Sequence, residues 1–353
     1  MNTLADRIAQ IIRADGPMTI ASYMQHCLLD PSDGYYSTRE PFGASGDFVT
    51  APDISQMFGE LLGLAIAQAW LDRGAPAPFN LVELGPGRGT LMADALRATA
   101  GVRGFREAAR VHLIEASPRL RAIQADTLPA SVKHHESLGS LPDAPTFVIA
   151  NEFFDALPIR QYVRDGKGWR ERVVGLVDDA LRFGLTDVMV QPDLTARLDD
   201  TKDGDLIEIS AAATNIARDL GEHLAKNGGV AFIIDYGDWR SLGDTLQAVK
   251  AHQSAPILKA PGTSDLTAHV DFEALAQAAK PLAASRLTPQ GVFLERLGIT
   301  TRARALASSL DGTALDQHIA AHRRLTHADE MGTLFKVMAL YQKDSPLPPG
   351  VTA

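Results

Sequence analysis

Residues 81–90 read LVELGPGRGT, and this short stretch decides the fold. An apolar run ends in three closely spaced glycines, and a segment with the composition of a helix follows. Glycine has no Cβ atom, so the backbone can turn tightly there and approach a ligand closely. The first turn of the following helix adds unpaired N–H groups and the positive end of its dipole. The stretch therefore predicts the nucleotide-binding corner of an open α/β sheet.

The spacing of the glycines distinguishes between classes of nucleotide. Gly85, Gly87 and Gly89 form the pattern G-x-G-x-G. A dinucleotide fingerprint, G-x-G-x-x-G, would need its third glycine at the position of Thr90. Glu83 would repel a pyrophosphate, but it suits a ligand that carries an ammonium group. The pattern argues against a nicotinamide-dependent oxidoreductase, and E-x-G-x-G-x-G resembles motif I of class I S-adenosylmethionine-dependent methyltransferases.

Segments typical of strands and of helices alternate along the rest of the chain. Strands are predicted in FNLVELG, ARVHLIEAS, PTFVIANEF, GGVAFIIDYG and GTLFKVMALYQ, and helices in TLMADALRAT, SPRLRAIQADTL and AAATNIARDLGEHLAKN. Such alternation implies a mostly parallel sheet that is covered by helices on both faces. We predict an α/β protein with the Rossmann-like class I methyltransferase fold, in which a seven-stranded, mostly parallel sheet is joined by an N-terminal helical extension and inserted hairpin and loop elements.

Further elements flank and interrupt the predicted sheet. We expect residues 1–75 to form an N-terminal helical extension and cofactor lid, and residues 76–340 to form the methyltransferase domain. Insertions are expected near 159–190 and near 241–270, where the alternation of strand and helix breaks. They favour a wide entrance to the active site that would suit a polypeptide substrate, although such elements also serve dimerisation. Residues 341–353 are rich in proline and glycine, and we expect them to be a frayed tail.

The long segment 30–53 lies before the first predicted strand of the sheet. Loops of this length without secondary structure are uncommon and are often functional. We expect it to fold over the cofactor cleft and exclude water, with Asp47 and Thr50 offering polar contacts. The alternative is a loop that packs only on the helix after it, for which Asp53 or Ser55 is the predicted N-cap.

Polar side chains follow the ends of three later strands. Glu115 ends the second strand, where an acid can accept hydrogen bonds from both ribose hydroxyls. Asn151, Glu152 and Asp155 follow a further apolar strand, and Asp235 ends the next one. Because the carboxyl ends of parallel strands meet at one edge of a sheet, we expect these side chains at one site. Local capping of a turn is the alternative for the group at 151–155.

The chemistry of methyl transfer favours a catalytic role for this second group. The reaction needs in-line attack on the methyl carbon, so positioning dominates. An arginine guanidinium is normally protonated. Carboxylates can accept hydrogen bonds from its coplanar N–H groups and hold its positive charge away from the attacking nitrogen. We predict Glu152 and Asp155 for that task, and we assign Asn151 and Asp235 to the same catalytic set. On spacing alone, an amide, carboxyl or hydroxyl acceptor stays open.

Seven separated segments carry a more specific resemblance. They are GDFVTAPDISQMFGELLG, VELGPGRGT, HLIEASPRLR, ANEFFDALPIRQ, IDYG, DLTAHVDF and GTLFKVM. In this order they look like the MidA family, which includes the mitochondrial complex I assembly factor 7 and many bacterial homologues, and the likeness covers roughly residues 15–340.

The resemblance implies a set of functional properties. It implies a class I methyltransferase that uses S-adenosylmethionine and forms symmetric dimethylarginine on a core subunit of respiratory complex I. By position in the motif, it assigns Gly85, Gly87, Gly89 and Glu115 to the cofactor. A second hypothesis is a complex I assembly or chaperone protein that has kept the fold with a vestigial cofactor pocket.

Composition narrows the remaining function classes. The 353 residues carry a net charge of −9, which argues against a nucleic-acid binder that must displace phosphate counterions. The single cysteine, Cys27, cannot form a disulfide within the chain. No apolar stretch approaches the roughly 20 residues that span a bilayer. We also expect no metal site, because the side chains of the adjacent His134 and His135 would point to opposite faces of a strand. We expect a bacterial cytoplasmic protein, whose eukaryotic relatives lie in the mitochondrial matrix.

Overall fold

Helices and strands alternate along the chain in the order that the sequence predicts. The computed structural model describes residues 3–38 and 49–353. Its α-helices are α1 Leu4–Asp15, α2 Ile20–Leu29, α3 Tyr35–Thr38, α4 Ala51–Ile54, α5 Gln56–Asp72, α6 Thr90–Ala98, α7 Phe105–Ala108, α8 Pro118–Thr127, α9 Ala211–Asn227, α10 Phe272–Ala278, α11 Gln290–Arg296, α12 Ile299–Ala307, α13 Gly312–Thr326 and α14 Met331–Leu334. Within these described ranges, every helix is too short or too polar to cross a lipid bilayer.

The strands belong to one large sheet and two small ones. They are β1 Met18–Thr19, β2 Phe79–Leu84, β3 Ala109–Ile114, β4 Lys133–His135, β5 Thr146–Asn151, β6 Arg160–Asp165, β7 Gly168–Val177, β8 Ala180–Leu185, β9 Leu206–Ile209, β10 Gly229–Asp238, β11 Gln247–Lys250, β12 Gln253–Ala255, β13 Asp265–Thr267, β14 Val270–Asp271, β15 Ala283–Ala284, β16 Thr288–Pro289 and β17 Phe335–Tyr341.

The strand order of the large sheet determines where the candidate site lies. Its strand order is β15-β17-β10-β5-β2-β3-β4, and the two-residue strands β14 and β16 pair with β10 and β17, so the described residues contribute nine strands rather than seven. The five strands from β10 to β4 are parallel, and β17 runs antiparallel to β10. The chain moves outward from β2 to β3 and β4, then returns to β5 on the other side of β2. Ligands bind at such switch points, beyond the carboxyl ends of the strands.

Both faces of the sheet are buried, which explains the continuous apolar runs of its central strands. Every residue of β2 and β5 is buried. Along β2, Phe79 and Leu81 join a core with α5 and α6, while Val82 and Leu84 join a second core with α9 and α10. Alternate side chains of one strand therefore serve opposite layers, as the period of a strand requires.

Local side chains cap several helix starts. The Thr19 hydroxyl accepts from the backbone N–H of Ser22 at the start of α2, and Ser117 caps α8. Of the two residues predicted to cap α5, Ser55 does so, accepting from the backbone N–H of Met57 at 3.3 Å. Such caps pair backbone donors that a helix start leaves free.

The predicted loop at 30–53 is only partly a loop. It contains the short helices α3 and α4, and its residues 39–48, including Asp47, lie outside the described part of the chain. The buried ring of Tyr35 joins a core with α1 and α2, which draws α3 onto the N-terminal helices. The sequence pattern missed these elements because each is a single helical turn.

Both insertion segments contain small sheets. The predicted hairpin is formed by β6 and β7, in which Asp165 pairs with Gly168 across a turn at Gly166–Lys167. Its sheet also contains β8, β9 and, from the N-terminal extension, β1. In the second insertion, β11, β12 and β13 form a three-stranded sheet. The pairing of β1 with β7 ties the start of the chain to the first insertion.

The prediction of a frayed tail is wrong. Val351 is buried in the core that contains α11, and Thr352 forms a β-bridge with Arg286. The Gly350 carbonyl accepts a hydrogen bond from Arg296 at 3.0 Å. The buried Val351 side chain, the β-bridge and the hydrogen bond from Arg296 hold the tail in place. The proline content of the segment alone could not predict these contacts.

The helix before the glycine turn packs against the helix after it through two glycines of α5. A Cβ atom on Gly63 would lie 2.6 Å from the Ala95 Cα atom of α6, and one on Gly59 would lie 2.8 Å from the Asp94 Cβ atom. Such distances leave no room for a side chain. Because α6 begins directly after the glycine turn, this close contact also fixes where the turn lies.

We expect Gly63→Val to destabilise the protein. The side chain would overpack the contact of α5 with α6, and such changes typically cost about 1–3 kcal/mol of the free energy of unfolding. Leu64→Val places the same residue one position away on the exposed face of α5, and we expect a change within about 0.5 kcal/mol. Denaturant unfolding of both variants measures the difference. Equal stabilities would show that α5 can move away from α6 at no cost.

Candidate active site

The glycine turn between β2 and α6 needs glycine for two reasons. Gly85, Gly87 and Gly89 have φ angles of 60°, 52° and 82°, which side chains disfavour. In addition, a Cβ atom on Gly85 would lie 2.7 Å from the Cδ2 atom of Phe153, in the turn that follows β5. The two strand ends can therefore approach each other only because Gly85 lacks a side chain.

Two cavities meet at this turn. The larger one, of about 180 Å³, is lined on one side by Glu115 and Ser117 and on the other by Phe153. The smaller one, of about 40 Å³, is lined by residues that include Thr50, Asp53, Glu83 and Asn151. Both are lined by Gly85, Gly87 and Glu152. Glu152 therefore lies at the boundary between the two.

Glu115 lines the larger cavity at the end of β3. Its Oε1 atom accepts from the Ser117 backbone N–H at 2.8 Å, and its Oε2 atom lies 3.3 Å from the Gln124 amide nitrogen. Burial raises the pKa of Glu115 above its usual value. A carboxylate has about four acceptor positions, so these two contacts leave room for hydroxyl groups of a ligand.

Glu83 faces the smaller cavity from β2. Its side chain is buried, one oxygen accepts from the Met92 backbone N–H, and Oε2 has no hydrogen-bond partner among the described residues. Burial raises the pKa of Glu83 to about 8, and the charge of Glu115 adds to the shift. A buried carboxyl oxygen without a partner is costly, so a cationic group bound here would be stabilised.

Glu152 adopts an unusual backbone conformation in the turn after β5. Its φ angle is 50°, a left-handed value that non-glycine residues seldom adopt. Its Oε1 atom accepts from the Ala51 backbone N–H at 3.0 Å and from the Asn151 amide at 3.2 Å. Burial raises the pKa of Glu152 to about 7, and the charges of Asp155 and Asp53 add to the shift. Such strain is concentrated at functional sites.

The other two predicted carboxylates lie behind the turn. The Asp235 Oδ2 atom accepts from the backbone N–H groups of Phe153, Phe154 and Asp155 at 3.0 to 3.3 Å. Asp155 is buried beside the phenol of Tyr236, and burial raises its pKa to about 6. Neither carboxylate lines the two cavities. The structure thus brings Thr50, Asn151, Glu83 and Glu152 together and places Asp155 and Asp235 beneath them.

Sequence reasoning missed several residues that line the cavities, among them Tyr36 and Asp53. Tyr36 lines the larger one, its hydroxyl donates to Asp265 at 3.0 Å, and its carbonyl accepts from the Ser117 hydroxyl. The only sequence signal was a pair of tyrosines in the predicted lid segment. Asp53, considered as a helix cap, instead lines the smaller cavity, where burial raises its pKa.

This arrangement fits S-adenosyl-L-methionine. Gly85 and Gly87 have no side chains to block the space between the two cavities. Glu115 can accept hydrogen bonds from ribose hydroxyls, and the Glu83 oxygen that has no hydrogen-bond partner among the described residues suits the amino group of the methionine portion. When bound, the cofactor supplies an electrophilic methyl group on a sulfonium. A parallel sheet with this turn and these acids at its switch point defines a class I S-adenosyl-L-methionine-dependent methyltransferase.

Known proteins agree with that class. A family described as S-adenosyl-L-methionine-dependent methyltransferase matches residues 61–290. Protein arginine methyltransferase NDUFAF7, mitochondrial, is 36% identical in Xenopus laevis, over 96% of this chain and 84% of the relative. The Homo sapiens protein of that name is 35% identical, over 93% and 81%. The chain therefore belongs to the MidA family, to which NDUFAF7 belongs, and it uses S-adenosyl-L-methionine.

A solved structure supports the fold across almost the whole chain. It is a protein from Burkholderia thailandensis bound to S-adenosyl-homocysteine, 29% identical with a TM-score of 0.83. The match covers 98% of this chain and 94% of that one. The predicted α/β class, family and cofactor are confirmed.

We expect Gly87→Val to abolish cofactor binding. The φ angle of 52° strains a β-branched residue, and Gly87 is a position that lines both cavities. We expect the Kd for S-adenosyl-homocysteine, measured by calorimetric titration, to rise by at least about 100-fold, or roughly 3 kcal/mol. Gly101→Val is the matched control, because a Cβ atom there meets nothing within 4 Å. Tight binding by the Gly87 variant would place the cofactor elsewhere.

We expect binding of S-adenosyl-homocysteine to release a proton from Glu83. With its pKa raised to about 8, this carboxyl is mostly protonated at pH 7 in the free protein. A bound ammonium group lowers that pKa, so affinity should rise as the pH increases from about 6 to 8. Titrations at pH 7 in buffers of different ionisation enthalpy count the proton. Glu83→Gln should remove the release, and proton-independent binding by the unmutated protein would contradict the assignment.

Proposed function

We propose that this protein transfers a methyl group from S-adenosyl-L-methionine to the guanidinium group of an arginine in a protein. The observation that carries this proposal is Glu152, an acid in a strained conformation at the boundary of the two cavities. A cofactor that spans Gly85 and Gly87 would present its methyl group near this carboxyl. The names of the curated relatives as protein arginine methyltransferases support the same acceptor.

The proposed chemistry depends on holding a cation that must lose a proton. A free guanidinium has a pKa above about 12 because its charge is delocalised, so it stays protonated and its nitrogen lone pairs are not free to attack. Glu152 uses Oε1 for Ala51 and Asn151, which leaves Oε2 for N–H groups of the acceptor. A carboxylate that binds there holds the positive charge away from the attacking nitrogen. With a pKa near 7, the same group is suited to receive the departing proton.

We propose that other residues of the site position Glu152, tune its pKa or contact the ligands directly. Asp235 holds the backbone of the turn, and the charge of Asp155 raises the pKa of Glu152. The Asn151 Oδ1 atom is buried without a hydrogen-bond partner among the described residues, so it can accept an N–H group of a ligand. Thr50 lines the smaller cavity, which supports a contact between the proposed lid and the cofactor.

The acceptor and its setting complete the proposal. We take the target to be a core subunit of respiratory complex I, the product to be symmetric dimethylarginine, and the location to be the bacterial cytoplasm. The support is the family resemblance and the names of the mitochondrial relatives. The sheets at the two insertions supply surface for a polypeptide acceptor or for a second copy of the chain.

A labelling experiment tests the acceptor. Extract from a strain that lacks the gene is incubated with purified protein and methyl-labelled S-adenosyl-L-methionine, and the labelled protein is identified by mass spectrometry. Hydrolysis to amino acids then distinguishes symmetric from asymmetric dimethylarginine and from monomethylarginine. We expect label in symmetric dimethylarginine. Label on another residue type would refute the arginine proposal, and binding of cofactor without any labelling would favour an assembly protein.

We expect Glu152→Gln to separate binding from turnover. The amide keeps the size of the side chain but can neither balance a guanidinium charge nor accept its proton. The Kd for S-adenosyl-homocysteine should stay within about threefold, while kcat should fall by at least about 100-fold, or roughly 3 kcal/mol of barrier. Glu222→Gln, on the exposed face of α9, is the matched control and should keep full activity. Full activity of the Glu152 variant would refute its catalytic role.

A further inference from the structure

Gln124 joins two parts of the cofactor site that are far apart in sequence. It lies on α8 and is fully buried. Its amide nitrogen donates to the Gly87 carbonyl at 2.8 Å and lies 3.3 Å from the Glu115 Oε2 atom. One side chain thus contacts both the glycine turn after β2 and the acid at the end of β3.

The surroundings of Gln124 fix the orientation of its amide. Gly87 and Glu115 each offer only an acceptor, so the amide nitrogen must face them. The amide oxygen then faces the His134 Nε2 atom at 2.9 Å, and His134 must carry its hydrogen there. Both N–H groups and the carbonyl oxygen therefore have partners. Rotating the amide would leave buried polar atoms without hydrogen bonds.

The helix that carries Gln124 also packs directly on the glycine turn. Gln124 and Leu128 lie one helical turn apart, on the same face of the segment. A Cβ atom on Gly89 would lie 3.1 Å from the Leu128 Cδ1 atom and 3.6 Å from the Gln124 Cγ atom. The amide is therefore held by its own hydrogen bonds and by the packing around it.

We infer that Gln124 is a positioning residue that couples the glycine turn to ribose recognition by Glu115. Ser117 holds one oxygen of Glu115 and Gln124 holds the other, so the remaining acceptor positions of the carboxylate are directed into the larger cavity. Loss of the Gln124 amide would free the Glu115 carboxylate to rotate and would release the Gly87 carbonyl. The inference rests on the assignment of Glu115 to the ribose and not on the acceptor that is methylated.

Two ligands and four proteins test the coupling. Calorimetric titration compares S-adenosyl-homocysteine with its 2′-deoxyadenosyl analogue on the unmutated protein, Gln124→Met, Glu115→Gln and Gln290→Met. The last is the matched control, because Gln290 is also a fully buried glutamine that donates to a backbone carbonyl, but it lines neither cavity. We expect Gln124→Met to weaken S-adenosyl-homocysteine by about tenfold. We also expect its preference for the ribose form to fall towards that of Glu115→Gln, while Gln290→Met keeps both values.

A second variant keeps the test decisive if Gln124→Met folds poorly. Gln124→Glu preserves the shape but places an acid beside Glu115, so its affinity for S-adenosyl-homocysteine should fall further below that of the unmutated protein, compared at the same pH, as the pH rises. A Gln124→Met variant that keeps the ribose preference of the unmutated protein would overturn the coupling. An unchanged preference in Glu115→Gln would overturn the ribose assignment and the coupling together. The arginine proposal would still be judged by the labelling experiment alone.

Discussion

The buried carboxylate of Asp235 holds the turn on which the active site depends. Its Oδ2 atom receives three consecutive backbone N–H groups, from Phe153 to Asp155, and Oδ1 receives that of Tyr236. A turn fixed in this way can carry Glu152 in a left-handed conformation that a free loop would leave. It also places Phe153 over Gly85, which explains why the turn after β2 must begin with glycine.

The site concentrates buried carboxyl groups even without a ligand. Burial raises the pKa of Glu83, Glu152, Asp155 and Asp235, and repulsion from neighbouring acids adds to the shift for Glu83, Glu152 and Asp235. Such a group of acids costs free energy unless protons or cations neutralise it. A sulfonium cofactor with an ammonium group, followed by a guanidinium acceptor, would supply that charge. We therefore expect ligand binding and protonation to be linked in this protein.

The N-terminal extension contributes to the site as well as to the fold. Ala51 of α4 donates to Glu152, and the carbonyl of Tyr36 accepts from the Ser117 hydroxyl beside Glu115. The pairing of β1 with β7 anchors the same extension to the first insertion. Contacts on both sides of residues 39–48 thus connect the start of the chain to both cavities. The role of this segment as a cofactor lid stays a prediction, and Asp47 lies outside the described residues.

The sequence by itself determined those features that depend on neighbouring residues or on a pattern that recurs along the chain. The glycine motif, the alternation of strands and helices, the cap at Ser55 and the family resemblance each depend on neighbouring residues or on their order, so the fold class and cofactor could be predicted. Only the tertiary structure decided which acids face the ligand. Glu152 and Asp155 look equivalent in NEFFD, but the contact with Asp235 from another strand sets the backbone that turns one towards the cavities and the other away. The roles of Tyr36, Asp53 and Gln124, and the packed tail at Val351, likewise depend on contacts between distant segments, which no local pattern records.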